Sequence, residues 1–191
     1  MTRPTLAVVG ASWGGLHAVG ELLSELDARC NLAVAVAQHR AADTPAEGYV
    51  RSVQARCALP VLEAEDKMAI EPGRVYVAPS DYHLLVDDDR FALSLEGAVR
   101  FSRPSIDVLF ETAAESYGTC VVAVVLTGAN DDGCRGALAV KEAGGIVLAQ
   151  DPASAERAEM PASVIGSGAV DRVLAVPEIA RALNEMGGVL A

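Results

Sequence analysis

Val8-Val9-Gly10-Ala11-Ser12-Trp13-Gly14-Gly15 is the stretch whose reading decides the fold. An apolar strand, Leu6 to Val9, runs into a turn with one serine framed by glycines, and a helical pattern follows at once. The local form is G-x-S-x-G, the nucleophile-elbow pattern, in which a sharp strand-to-helix turn lifts a serine hydroxyl clear of the sheet. A glycine-rich strand–turn–helix also cradles phosphate on the helix N-terminus. The turn alone therefore leaves a nucleophile and a phosphate site both open.

Outward from this turn, strands and helices alternate to the end of the chain. Helices are expected over Gly15–Ala28, Ala46–Arg56, Ser105–Tyr117, Cys134–Ala143, Pro161–Ile165 and Pro177–Met186. Ser105 is placed to cap the third of these, with Asp107 in its first turn. Strands are expected over Leu6–Val9, Leu32–Ala37, Arg74–Ala78, Cys120–Leu126, Ile146–Ala149 and Val173–Val176. His83–Val86 and Phe91–Leu95 flank Asp87-Asp88-Asp89-Arg90, the pattern of an antiparallel hairpin. The main strands are apolar without alternation, so both faces are buried, as in a parallel sheet covered by helices. The fold expected is α/β: a three-layer, doubly wound, mostly parallel sheet flanked by helices, with a small antiparallel hairpin. The stretches Asp43–Glu47 and Asp81–Glu96 are the expected surface excursions.

The bulk properties narrow the function. The chain has 191 residues, enough for one domain with a real core, and its 51% apolar and 21% charged residues describe a globular chain. The longest purely apolar run, Cys120–Leu126, is far short of the ~20 residues of a membrane span, and no secretory signal opens the chain. The net charge of −11 argues against a nucleic-acid binder and against adsorption to an anionic membrane. Cys30, Cys57, Cys120 and Cys134 form no close pairs with zinc spacing, so they read as buried or semi-buried cytosolic thiols, with Cys120 in the core. No metal and no cofactor is expected.

In an open parallel sheet, ligands bind beyond the carboxyl ends of the strands. After the first strand comes Ser12, and after the second Gln38-His39. After Cys120–Leu126 comes Thr127-Gly128-Ala129-Asn130-Asp131-Asp132-Gly133, and after Ile146–Ala149 comes Gln150-Asp151. A serine, a histidine and an aspartate thus leave one edge of the sheet. Serine needs a base to take its proton, and the base needs an orienting acceptor. Spacing alone does not separate Asp132 from Asp131 or Asp151. The order Ser, His, Asp differs from that of the α/β-hydrolases, chymotrypsin and subtilisin. His17, inside the first helix, reads as a surface or packing residue; His83, at a hairpin start, reads as structural or as a pocket rim.

The ordered motifs resemble the catalytic domain of the chemotaxis protein-glutamate methylesterases, the CheB family. The matching stretches are Gly10-Ala11-Ser12-x-Gly14-Gly15, Gln38-His39, Pro72 through Pro79 with His83 beyond, and Arg103-Pro104-Ser105-Ile106-Asp107-Val108-Leu109-Phe110. Leu126-Thr127-Gly128 with Asp132-Gly133, Ala149-Gln150-Asp151 and Met160-Pro161 complete the set, which spans nearly the whole chain. The resemblance implies that Ser12 is the nucleophile, His39 the general base and acid, and Asp132 the residue that orients His39. It implies an oxyanion hole from backbone N–H groups after Ser12 and in the Thr127–Asp132 loop, with Trp13 and Ala129 at the site. The implied reaction is hydrolysis of glutamate methyl esters on the cytoplasmic helices of methyl-accepting chemoreceptors, with glutamine deamidation in some members, in the cytoplasm. Arg103 has a capping-loop reading beside that of binding a substrate carboxylate.

Three departures from the family pattern stand out. Trp13 follows the serine where the family usually has a small residue or threonine. Ala129-Asn130 stands where Met-Gly is usual. The family usually carries an N-terminal receiver domain, whereas this chain begins at the catalytic strand: residues 1–191 are expected to form a single catalytic domain, either a piece of a longer protein or a stand-alone form, the latter calling for a receiver-domain or kinase partner in trans. Trp13 and Ala129-Asn130 also motivate a rival reading, a receptor-binding module of the same fold without efficient turnover, in which the triad side chains stand too far apart to bond. A second rival, a nucleotide-binding protein, calls for an acidic residue at the end of the second strand, where Gln38-His39-Arg40 stands instead.

Overall fold

The structure, a computed structural model, describes residues 5–41 and 46–188. Most of the expected excursion Asp43–Glu47 lies outside the described residues. In chain order the main elements are β1 (Leu6–Ala11), α1 (Gly15–Ser24), β2 (Ala33–Gln38), α2 (Ala46–Gln54), β3 (Val61–Glu63), β4 (Val75–Val77) and the hairpin β5 (His83–Asp87) and β6 (Arg90–Ser94). They continue as α3 (Ile106–Tyr117), β7 (Val121–Val125), α4 (Cys134–Glu142), β8 (Ile146–Gln150), α5 (Glu159–Gly166), β9 (Arg172–Leu174) and α6 (Val176–Gly187).

Seven strands form one parallel sheet in the order β3-β4-β2-β1-β7-β8-β9, and β5-β6 form a separate antiparallel pair. The doubly wound class is the one expected from the apolar strands. The chain winds outward from β1 through β2 and β4, then returns to the other side of β1 with β7. The switch point of strand order therefore lies at β1, between β2 and β7, where three strand-end loops meet.

Strand alternation assigns the two covering layers. Ala7, Val9 and Ala11 of β1 face α1, α2 and α6, packing with Leu22, Leu23, Val53, Ile179 and Leu183. Leu6 and Val8 face the other layer, where α3, α4, α5 and the hairpin supply Ile106, Leu109, Phe110, Ala137, Val164 and Phe91. β1, β2 and β7 are buried along their whole length.

Several boundaries differ from those read in the sequence, each for a local reason. α1 stops at Ser24, short of Ala28, because Asp27 folds the next turn: its Oδ1 accepts from the Arg29 N–H at 2.8 Å, while Asn184 Oδ1 of α6 accepts the Asp27 N–H at 2.9 Å. The last strand is Arg172–Leu174 rather than Val173–Val176, because Pro177 opens α6 where its missing N–H is harmless and Glu178 accepts the Ala175 N–H at 3.1 Å. Cys120 is half-buried in a short 3₁₀ turn, not in the core strand, because Gly118 at φ 52° ends α3 and sets that turn. β3 is a three-residue strand on the sheet edge, too short to leave a pattern. The segment 81–96 is not a plain excursion either. Leu84, Val86 and Phe91 are buried, Val86 N–H donates to Thr112 Oγ1 of α3 at 3.0 Å, and Phe91 meets the Tyr76 ring edge-on at 4.9 Å.

Candidate active site

In-register pairing of β1 with β2 sets Ala11 opposite Gln38, so Ser12 and His39 emerge side by side. The ladder continues into the loops: His39 N–H donates to Ala11 O (3.0 Å), Leu126 N–H to Gly10 O (2.9 Å) and Ser12 N–H to Thr127 O (2.9 Å). Two glycines make this approach possible. A Cβ on Gly10 would lie 2.3 Å from Ile106 Cγ2, the residue that opens α3. Gly14 has φ 76°, and a Cβ there would meet Glu156 at 2.7 Å. Thr127 locks the turn from the far side, its hydroxyl donating to Trp13 O at 2.9 Å while its N–H donates to Gln150 Oε1 at 2.9 Å.

The three side chains form one hydrogen-bonded chain. Ser12 Oγ lies 3.1 Å from His39 Nδ1, and His39 Nε2 lies 2.8 Å from Asp132 Oδ2. The separated side chains required by the turnover-deficient reading are not present. Asp132 is fully buried, and its other contacts are all donors: Ile106 N–H to Oδ2 (2.8 Å), and Asp107 N–H (3.0 Å) and Ser105 Oγ (3.1 Å) to Oδ1. The carboxylate thus sits on the N-terminus of α3, where exposed amides and the helix dipole favour a negative charge. Burial pushes this carboxyl up, but the His39 ring N–H and the Asp107 and Ile106 amides outweigh it and hold it below the usual carboxylate range. A carboxylate surrounded by donors fixes the His39 proton on Nε2 and leaves the Nδ1 lone pair facing Ser12.

Asp107 returns the arrangement. From the first turn of α3 its Oδ1 accepts the Gly133 (2.9 Å) and Gly136 (2.8 Å) amides at the start of α4. The carboxylate just ahead of α4 thus caps α3, and a carboxylate of α3 caps α4. Burial raises the Asp107 carboxyl, the nearby Asp132 charge adds to this, and Arg135 and the two amides oppose it.

Asp132 is thereby distinguished from its two sequence rivals. Asp131 is exposed and pairs with Arg100, and Asp151 caps a 3₁₀ turn through the Ala153 N–H at 2.9 Å. Trp13 stands at the mouth, 59% exposed, its indole N–H donating to Glu156 Oε1 at 2.9 Å and the Arg157 guanidinium 5.5 Å from its ring centre. Ala129 is exposed in the loop after β7, and among the described residues neither its N–H nor that of Trp13 donates to a backbone carbonyl.

Arg103 makes the contacts of its capping-loop reading. Its guanidinium donates twice to Asp81 Oδ1 (2.6 and 3.0 Å) and to the Leu95 and Glu96 carbonyls (2.8 and 3.0 Å), so it ties the hairpin's exit to the start of α3. His83 is structural: buried, it accepts the Ser105 N–H on Nδ1 at 3.1 Å and donates from Nε2 to Gly97 O at 3.1 Å. His17 lies on the exposed face of α1.

Sequence reasoning missed two residues beside His39. Ser102 Oγ comes within 3.2 Å of Nδ1, and Phe101 projects fully into solvent at the rim. Both sit in an irregular loop, where no periodicity marks them. A cavity of about 370 Å³ opens here, bounded by His39, Arg40, Phe101, Ser102 and Arg103. A larger hollow of about 580 Å³ lies between α1 and α2 with His17 and Arg56 on its wall, and none of the three bonded side chains lines it. Among the described residues no group of three or more His, Cys, Asp or Glu is placed to hold a metal ion, and no helix is long and apolar enough to cross a membrane.

Comparison with known proteins agrees with this fold. A family model described as CheB methylesterase matches residues 7–183. The chain belongs to the CheB methylesterase family. The crystal structure of the Thermotoga maritima CheB methylesterase catalytic domain superposes with a TM-score of 0.90 at 32% identity, covering 97% of this chain and all of that one. A Leptospira interrogans relative, named provisionally a protein-glutamate methylesterase/protein-glutamine glutaminase, is 44% identical over 91% of this chain and 90% of its own length. A protein-glutamate methylesterase/protein-glutamine glutaminase of Anaeromyxobacter dehalogenans is 39% identical over 96% of this chain but only 54% of its own length. The chain thus spans nearly all of one CheB relative and about half of another.

Proposed function

We propose that this chain is a protein-glutamate methylesterase acting on the cytoplasmic helices of chemoreceptors, with Ser12, His39 and Asp132 as its catalytic triad. The observation that carries the proposal is the Ser12–His39–Asp132 hydrogen-bonded chain, at 3.1 and 2.8 Å, placed at the switch point of the sheet. In this reading His39 Nδ1 takes the Ser12 proton as Oγ attacks the ester carbonyl carbon. The N–H groups of Trp13 and Ala129 receive the oxyanion. Nδ1–H then protonates the methoxy oxygen, the C–O bond breaks and methanol leaves. Water, deprotonated by the same nitrogen, attacks the acyl-enzyme and releases glutamate and Ser12. Throughout, Asp132 keeps the imidazole oriented and stabilises its charged form. A glutamine side chain would follow the same path with ammonia as the leaving group, the second activity in the relatives' names. Trp13 forms one wall of the substrate cleft, and a receiver domain or kinase in trans is the proposed source of control.

The test is methanol release from membranes bearing methylated chemoreceptor, comparing wild type with Ser12→Ala. Ser12→Ala is expected to abolish release while leaving the urea unfolding curve unchanged. Full activity in that variant overturns the proposal.

A further inference from the structure

His39 Nδ1 faces two hydroxyl groups. Ser12 Oγ lies 3.1 Å away and Ser102 Oγ 3.2 Å away. Ser102 arrives from the loop between β6 and α3, where Val99 and Ser102 exchange both backbone N–H···O bonds at 3.1 and 2.9 Å. The two residues between them, Arg100 and Phe101, have φ of 48° and 64°. Such a turn is ordinarily filled by glycine or asparagine, and side chains of this size are disfavoured in it. It is tied down by Arg100, whose guanidinium pairs with Asp131 and lies 3.5 Å from Asp107 Oδ2. Strained backbone held by its surroundings concentrates at functional sites. This turn delivers a hydroxyl to the base.

The proton inventory shows what that hydroxyl does. With the His39 proton on Nε2 facing Asp132, Nδ1 has one in-plane lone pair, which two hydroxyls cannot both use well. Once the Ser12 proton has moved to Nδ1 and Ser12 Oγ is bonded to the acyl carbon, the situation reverses. There is then one N–H on a charged ring, and Ser102 Oγ offers it free lone pairs.

We propose that Ser102 is a positioning residue for His39: its oxygen accepts the Nδ1–H of the imidazolium between removal of the Ser12 proton and delivery of that proton to the leaving oxygen. The inference rests on the triad reading above. Ser102 changes no covalent bond. The proton passes from Ser12 Oγ to Nδ1 to the methoxy oxygen, while the Oγ–C bond forms and the C–OCH₃ bond breaks.

The test compares Ser102→Thr with Ser102→Val, which match in shape and differ in the hydroxyl, alongside Ser102→Ala. Two rates are read: labelling of Ser12 by a small fluorophosphonate, which needs an activated serine but no receptor docking, and methanol release from methylated receptor. Loss of a hydrogen bond to a charged group predicts a roughly tenfold to hundredfold fall in labelling and in kcat for Val and Ala, with KM unchanged. Ser102→Thr is expected to retain most of both rates. Labelling of the Val variant as fast as that of the Thr variant, or of the Ala variant as fast as wild type, overturns the proposal. Ser12→Ala is run beside them. Labelling that persists there defeats the triad reading itself, an outcome distinct from failure of the Ser102 role.

Discussion

Replacing Asp132 by asparagine tests both the proposed chemistry and the fold at one atom. The carboxylate accepts four hydrogen bonds, two on each oxygen: Ser105 Oγ and Asp107 N–H on Oδ1, Ile106 N–H and His39 Nε2 on Oδ2. An amide keeps only one acceptor oxygen. If that oxygen takes the Oδ1 place, the Ile106 N–H faces an NH₂ group, and His39 must turn a lone pair toward it. The ring proton then moves to Nδ1, and Ser12 loses its base. The reverse orientation spares His39 but leaves the Ser105 and Asp107 donors unmet. At least one buried donor loses its acceptor, at about 1–3 kcal/mol. Removing the negative charge from the α3 N-terminus adds up to roughly 1 kcal/mol. The expected loss is about 1–4 kcal/mol in urea unfolding. The wrong tautomer is expected to slow fluorophosphonate labelling and methanol release by on the order of 10³–10⁴. Labelling within tenfold of wild type, with the variant folded, would refute the claim that Asp132 fixes the His39 tautomer.

Acid titration offers an independent check on the same carboxylate. Because the fold lowers the Asp132 carboxyl, its contribution is complete above the unfolded value near 4 and is lost as pH falls through the lower folded value. The stability gap between wild type and Asp132→Asn, followed by urea midpoints, should therefore narrow below about pH 4. Asp107, raised by burial, contributes with the opposite sign, and its penalty is relieved as pH falls through its raised value. Gly10→Ala should cost roughly 1–3 kcal/mol by forcing a methyl against Ile106, and adding Ile106→Ala to the same chain should recover part of it in a double-mutant cycle. Arg103→Ala should lower the unfolding free energy by about 1–3 kcal/mol through its lost bonds to Asp81 and two carbonyls, with no selective rise in KM. An unchanged urea midpoint with a raised KM would return Arg103 to the substrate.

The parts legible in the sequence share a physical cause. β1, β2 and β7 are apolar on both faces, so the parallel sheet was readable, and parallel strands discharge their loops at one edge. That is how Ser12, His39 and the Asp131–Asp132 pair come to be associated without any contact being known. Separating Asp132 from Asp131 needed the position of α3, because its amide ends choose one carboxylate while Arg100 takes the other. Ser102 and Phe101 were invisible for a related reason. Their turn has left-handed backbone without glycine, which no turn signature marks. Arg103 was left between a capping and a substrate-binding reading, since a guanidinium needs a carboxylate and the sequence does not say whose; the structure supplies Asp81. β3 was missed because three residues on a sheet edge carry no period.

Trp13 has one further consequence. It is the chain's only tryptophan, and it stands beside Ser12 with its indole N–H held by Glu156 and its ring beneath Arg157. Its emission is therefore a native optical signal from the mouth of the cleft, free of background from any other indole. A bound helix that excludes water there would shift the emission to the blue, and an acyl group on Ser12 would alter its quenching. Stopped-flow fluorescence could thus time docking and acylation in the unlabelled protein.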